Sequence, residues 1–132
     1  MIGLDTNILV RYIVQDDPEQ AAQATVLIEE YCSAETPGYI SSIVLCELLW
    51  VLSRGYQYEK PVTIQVLQQL LTSSELSVAQ REKSLAALRE YQAGTADFSD
   101  YLIGQLNSTH SCRTTYTFDK KAAKNRHFTL LE

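Results

Sequence analysis

Met1-Ile2-Gly3-Leu4-Asp5-Thr6-Asn7-Ile8-Leu9-Val10-Arg11 opens the chain, and its reading decides the fold class. Met1 to Leu4 is a short apolar run ending at Asp5, the pattern of a buried strand whose carboxyl end delivers an acid to the edge of a sheet. A helix is expected from about Asn7 to Val14. Gln15-Asp16-Asp17-Pro18 then breaks the chain. Asp17, Pro18 and Gln20 have the form of an N-cap, a first-turn proline and a capping-box partner. They predict a second helix over Pro18 to Cys32, with Ala21, Ala24, Leu27, Ile28 and Tyr31 facing inward.

Outward from this start, strand and helix patterns alternate. Thr36-Pro37-Gly38 is a turn and Tyr39 to Ser41 a second strand. Ser42 to Arg54, stopped by Gly55, is apolar on nearly every side and predicts a deeply buried helix. Pro61 opens a helix carrying Val62, Val66, Leu67, Leu70 and Leu71, and Glu75 to Val78 form a brief strand. Gln80 to Tyr91 is amphipathic through Leu85, Ala86, Leu88 and Tyr91, closed by Gly94. Asp97 to Asn107 is a further helix, Arg113 to Phe118 a strand, Lys120 to Lys124 a helical turn and His127 to Leu131 a last strand. This alternation predicts a three-layer α/β fold with a mostly parallel sheet, whose active crevice lies at the carboxyl ends of the strands.

The chain has 132 residues, 45% of them hydrophobic, enough for one compact domain spanning 1–132 and too few for two ordinary ones. Cys32, Cys46 and Cys112 are odd in number and widely spaced, so they are expected as buried free thiols in a reducing cytoplasm. No signal peptide or membrane span is read from the sequence. A formal charge of −5 runs against simple binding of nucleic acid, which relies on Lys and Arg. Acids gathered to hold divalent cations would reverse the local sign.

Five acids stand out. Asp5 follows the first strand, Glu47 lies inside the apolar helix, Asp97 and Asp100 begin a late helix, and Asp119 follows the fourth strand. Asp5, Asp97 and Asp119 are each explicable as helix caps, and Asp100 as a partner of the helix dipole. Glu47 is different: flanked by Ile43 to Cys46 and Leu48 to Leu52, its carboxylate is costly unless a cation or hydrogen-bond donor compensates it. A buried ion pair and a rim position are the structural alternatives. Carboxylates from several elements near strand ends are what a magnesium or manganese site requires. His110 and His127 are not expected to act as an acid and base pair.

These residues resemble the motifs of PIN domains. Ile2 to Arg11 resembles their D-T-N start, Ser41 to Glu47 their second acidic motif, Asp97 to Ile103 their third, and Thr117-Phe118-Asp119 their fourth; order and length are similar to VapC-type toxins. The resemblance implies a PIN fold with a five-stranded parallel sheet in order 3-2-1-4-5, magnesium-dependent endoribonuclease activity in which Mn²⁺ substitutes, a homodimer and an inhibitory VapB-like antitoxin. Asp5, Glu47 and Asp100 match its core metal-site acids and Asp119 a more variable fourth. Asp97 either ligates or caps, and Thr6, Asn7 and Thr117 are supporting polar positions. Transfer RNA or another structured RNA is the implied substrate. Tyr31, Val62, Val66, Leu70, Trp50 and Tyr56 are expected to contribute a surface for a second copy and for an amphipathic antitoxin segment. The competing readings are a PIN nuclease acting on DNA or ribosomal RNA, a receiver-like metal-binding module, and a haloacid-dehalogenase-type phosphatase. The phosphatase requires an acid where Asn7 stands, and the receiver places none at Glu47.

Overall fold

A computed structural model describes residues 1–132, and the chain divides into two compact units, Met1–Ala79 and Gln80–Glu132.

In the N-terminal unit, β1 (Ile2–Gly3), β2 (Gly38–Ile40) and β3 (Leu76–Val78) form a parallel sheet in order β1-β2-β3. Gly38 pairs with Ile2 on one side and Leu76 on the other. A Cβ there would stand 2.7 Å from Leu4 Cδ1 and 3.0 Å from Cys32 Sγ, so only glycine admits this close approach. The helices are α1 (Thr6–Val14), α2 (Pro18–Tyr31), α3 (Ser42–Trp50) and α4 (Lys60–Thr72), with a π-helical turn over Val51–Gly55. Leu4, Leu9, Ile40, Leu45, Leu48, Leu52, Leu67 and Leu71 fill the core between them. Truncating one such leucine to alanine costs about 2 to 5 kcal/mol.

The C-terminal unit packs α5 (Arg81–Ala93) on α6 (Phe98–Thr109). A parallel pair follows, β4 (Thr115–Thr117) with β5 (Phe128–Leu130), joined through a 3₁₀ turn at Ala122–Lys124. Ala87, Leu88, Phe98, Tyr101, Leu102, Ala122 and Phe128 are among its buried apolar residues. The Tyr91 and Phe98 rings meet edge to face at 6.0 Å. The α/β class and parallel pairing agree with the sequence reading, which expected a single five-stranded sheet; the strands observed pair as two runs, 3-2-1 and 4-5.

Several local expectations are corrected. Both residues of β1 are exposed, so the buried member of the opening run is Leu4. Asp17 caps α2 by accepting from the Gln20 N–H, but Gln20 Oε1 accepts from Arg11 Nε at 2.8 Å, leaving the capping box half made. Tyr31, the last residue of α2, is 67% exposed. On α5 the buried side is Ser84, Ala87 and Leu88, with Leu85 and Ala86 half-buried. Of the thiols only Cys32 is buried; Cys46 is half-buried and Cys112 exposed.

The largest correction concerns α3. Leu45, Leu48, Leu49 and Leu52 turn into the core, whereas Ile43, Glu47, Trp50 and Arg54 occupy an exposed stripe. Composition alone could not separate the two sides, because the outward side also carries Ile and Trp. Glu47 is therefore exposed and carries no large desolvation cost. Helical geometry also changes after Trp50: Ser53 Oγ takes the Leu49 carbonyl at 2.8 Å and the turn widens, closed by the Tyr56 N–H on the Val51 carbonyl at 3.1 Å. Arg54 then lies over the Trp50 ring, 4.7 Å from its centroid.

Candidate metal centre

Asp5 stands where β1 gives way to α1. Its backbone is extended, as an N-cap requires, and Oδ1 accepts from the Thr6 N–H at 2.7 Å. Thr6 turns its hydroxyl the other way and donates to Glu47 Oε1 at 2.9 Å. One residue thus links the carboxylate at the end of the first strand to the carboxylate midway along α3. Ser41 sets the start of that helix, its hydroxyl accepting from the Val44 N–H at 3.2 Å, so Glu47 sits in its second turn. Glu47 and Asn7 are exposed.

The C-terminal unit gathers the other three acids. Asp97 is the N-cap of α6, and Asp100 Oδ2 accepts from the Asp97 N–H at 3.3 Å in capping-box geometry. The Asp100 carboxyl is pushed above the usual carboxylate range chiefly by burial, which together with the smaller effects of the Asp119 and Asp97 charges exceeds the lowering by the Asp97 N–H. Asp119 follows β4. Thr117 Oγ1 accepts its N–H at 3.0 Å, and Asp119 Oδ1 accepts from the N–H groups of Lys121 and Ala122 at 2.8 and 3.1 Å.

The capping interpretation is realised by side-chain bonds at Asp5 and Asp119, and Asp97 occupies the N-cap of α6 with capping-box geometry. A cap uses one carboxylate oxygen and leaves the second for another partner. Asp5, Glu47, Asp100 and Asp119 form no ion pair. Neither unit by itself draws three His, Cys, Asp or Glu side chains around one point. The donor chemistry fits a hard cation, because every candidate ligand is a carboxylate or hydroxyl oxygen and no thiol or imidazole is among them. His127, not expected to act as an acid or base, has a buried Nε2 without a partner, and its backbone N–H donates to Asn125 Oδ1 at 2.9 Å.

Two features were not foreseen. Thr6 was expected only as a supporting polar position, yet it is the hydrogen-bond partner of Glu47; the signal was its adjacency to Asp5. Arg11 was read only as part of a motif. Its Nη1 donates to Asp16 Oδ1 at 2.9 Å, while the Tyr56 hydroxyl donates to Asp16 Oδ2 at 2.7 Å, fastening α1 to the chain after the π-turn.

No functionally curated protein matches the chain significantly. A family model described as PIN domain matches residues 2–127. That match takes in both units and all five acids, and the chain therefore belongs to the PIN domain family, whose members are generally metal-dependent nucleases using Mg²⁺ or Mn²⁺.

Proposed function

We propose that this protein is a magnesium-dependent endoribonuclease and the toxin member of a toxin and antitoxin pair, with residues 1–132 acting as one PIN domain whose strands continue as 3-2-1-4-5. The observation that carries the metal-dependent part is the pair of carboxylates joined at Thr6, whose N–H is accepted by Asp5 Oδ1 at 2.7 Å and whose hydroxyl donates to Glu47 Oε1 at 2.9 Å, bringing oxygen donors from two separate elements to one residue.

Asp5, Glu47, Asp100 and Asp119 would hold the metal, with Asp97 mainly capping α6. When bound, Mg²⁺ supplies charge stabilisation at the scissile phosphate and lowers the pKa of a coordinated water. The chain's own part is to fix the carboxylates. Asp5 is held by the Thr6 N–H, Glu47 by the Thr6 hydroxyl and Asp119 by the turn after it, which limits their reorganisation. Asn7 and Thr117 support this set, Thr117 through its bond to the Asp119 N–H.

Partner surfaces favour the toxin reading over a free-standing nuclease. Tyr31 and Val62 remain exposed, as does Trp50 at 58%. Leu70 is buried and Val66 and Tyr56 are half-buried, so those three contribute less than the sequence suggested. A groove of about 770 Å³ runs between α1, α2 and α4, with Ile13, Ile28, Val66 and Leu70 apolar in its wall and Glu29 and Glu75 at its edge. An amphipathic antitoxin segment with a basic residue suits that lining, and the exposed Trp50 side of α3 suits a second copy of the chain. No helix is long and apolar enough to cross a membrane. The proposed substrate is transfer RNA or another structured RNA, met in the cytoplasm.

The test is cleavage of end-labelled RNA and of matched single-stranded DNA in Mg²⁺ and in EDTA, by wild type and Asp5→Asn. Cleavage of RNA that needs Mg²⁺ and is lost in Asp5→Asn is expected. Cleavage persisting in EDTA sinks the metal mechanism, and cleavage of DNA alone sinks the ribonuclease assignment.

A further inference from the structure

The acidic balance of the chain conceals a division. The N-terminal unit carries three Lys and Arg against ten Asp and Glu, whereas the C-terminal unit carries eight against six. Four of those eight fall between Lys120 and Arg126: Lys120, Lys121, Lys124 and Arg126. All four are exposed, and none of their side chains makes a hydrogen bond or ion pair. Asp119, the adjacent acid, directs Oδ1 to the backbone N–H groups of Lys121 and Ala122.

Backbone geometry aligns two of them. The Lys124 N–H reaches the Lys121 carbonyl at 3.3 Å and the Asn125 N–H the Ala122 carbonyl at 2.9 Å. In such a 3₁₀ turn residues three apart eclipse, so Lys121 and Lys124 share a side, while Ala122 between them is fully buried and anchors the turn. Both lysines line a cavity of about 380 Å³ with Gly94, Thr95 and Asn125. Its one acid, Glu90, is already engaged: Oε1 accepts from Gln105 Nε2 at 2.7 Å and Oε2 from Asn125 Nδ2 at 2.6 Å. The only ring in the lining, Tyr101, is buried, with its hydroxyl accepting from the Ala96 N–H at 3.2 Å. The cavity thus offers paired ammonium groups and no exposed aromatic surface on which a base could stack.

We propose that Lys121 and Lys124, flanked by Lys120 and Arg126, form a seat for the phosphodiester backbone of the RNA strand. Ammonium groups act as point charges towards phosphate, and without stacking or base-edge contacts the seat binds independently of sequence. The proposal rests on the ribonuclease reading and adds where the strand is held.

Binding is measured by fluorescence anisotropy of the full-length protein in EDTA, where the strand stays intact, across a KCl titration. The probes are two labelled single-stranded RNAs of unrelated sequence, a DNA of the same sequence as one of them, and a polyglutamate peptide. Lys121→Gln/Lys124→Gln should weaken both RNAs to the same extent, with the salt slope flatter by about 0.7 for each lysine. Lys60→Gln, the same charge change in the N-terminal unit, should leave slope and affinity as in wild type, and melting curves confirm that each variant is folded. If the double variant keeps the wild-type slope while wild type still cleaves RNA in Mg²⁺, the seat is wrong and the ribonuclease reading stands. Tighter binding of the DNA or the peptide than of RNA overturns the RNA assignment of the seat. A wild type that neither binds nor cleaves RNA overturns both.

Discussion

Thr6 Oγ1 donates to Glu47 Oε1 across 2.9 Å, so the first turn of α1 holds a carboxylate carried at the exposed middle of α3. Because Glu47 lies at the surface, its charge is hydrated and removing it relieves no large burial cost. Glu47→Gln retains an oxygen acceptor for Thr6 and should melt within about 0.5 kcal/mol of wild type in EDTA. It should lose RNA cleavage and most of the rise in melting temperature that Mg²⁺ gives wild type, since a ligand of the folded state stabilises by mass action. Thr6→Val, which leaves Glu47 charged but unheld, should retain part of that rise. Paired melting curves with EDTA and Mg²⁺ check this; full Mg²⁺ stabilisation and cleavage in Glu47→Gln would remove Glu47 from the site.

Asp97 and Asp100 share one helix start but differ in environment. Asp97→Ser keeps a capping oxygen and should leave the fold and measurable cleavage in place, whereas Asp97→Ala should cost about 1 kcal/mol of stability through loss of the cap. Asp100→Asn removes a carboxylate whose ionised form is disfavoured while keeping an acceptor for the Asp97 N–H. It should therefore be as stable as wild type or more stable in EDTA at neutral pH, and inactive in Mg²⁺. Equal loss of cleavage in Asp97→Ser and Asp100→Asn would make Asp97 a ligand.

Acid stability should depend on Asp16. The Tyr56 hydroxyl foremost, with Arg11, holds its carboxyl below the usual range. A carboxylate whose folded-state pKa is depressed contributes stability above its unfolded pKa and loses it as pH falls through the folded one. The window therefore lies at and below the ordinary carboxylate range. Asp16→Asn and Tyr56→Phe should each flatten the acid limb of a stability against pH curve and leave its shape near pH 7 unchanged. An acid limb identical to wild type in both variants would show that this network adds nothing.

A second copy of the chain is expected on the Trp50 side of α3. Trp50→Ser should shift sedimentation from dimer towards monomer while the subunit stays folded, since the ring is mostly exposed, and its melting temperature should lose the dependence on protein concentration that a dimer gives. Tyr31→Ser, on α2, should leave self-association as in wild type. A wild type that sediments as a monomer at all concentrations rejects this interface.

The sequence by itself determined the element order and most of the caps. Asp17-Pro18 before α2 and Asp97 three residues before Asp100 are local chemistry, written in neighbouring residues and satisfied by neighbouring N–H groups. The acids proposed for the site could be singled out from their places in the chain, Asp5 and Asp119 after strands, Asp97 and Asp100 at a helix start and Glu47 inside an apolar helix, because motif order needs no contact map. What the sequence could not determine was which side of α3 meets the core. Ile43 and Trp50 are as apolar as Leu45 and Leu48, so hydrophobicity did not distinguish the sides, and only packing against the other elements of the N-terminal unit left Glu47 outside. Thr6 reaching Glu47 across forty-one positions, and the alignment of Lys121 with Lys124 in a 3₁₀ turn beside a cavity, were likewise decided by tertiary structure. Those relationships depend on where distant backbones come to rest, which no local propensity encodes.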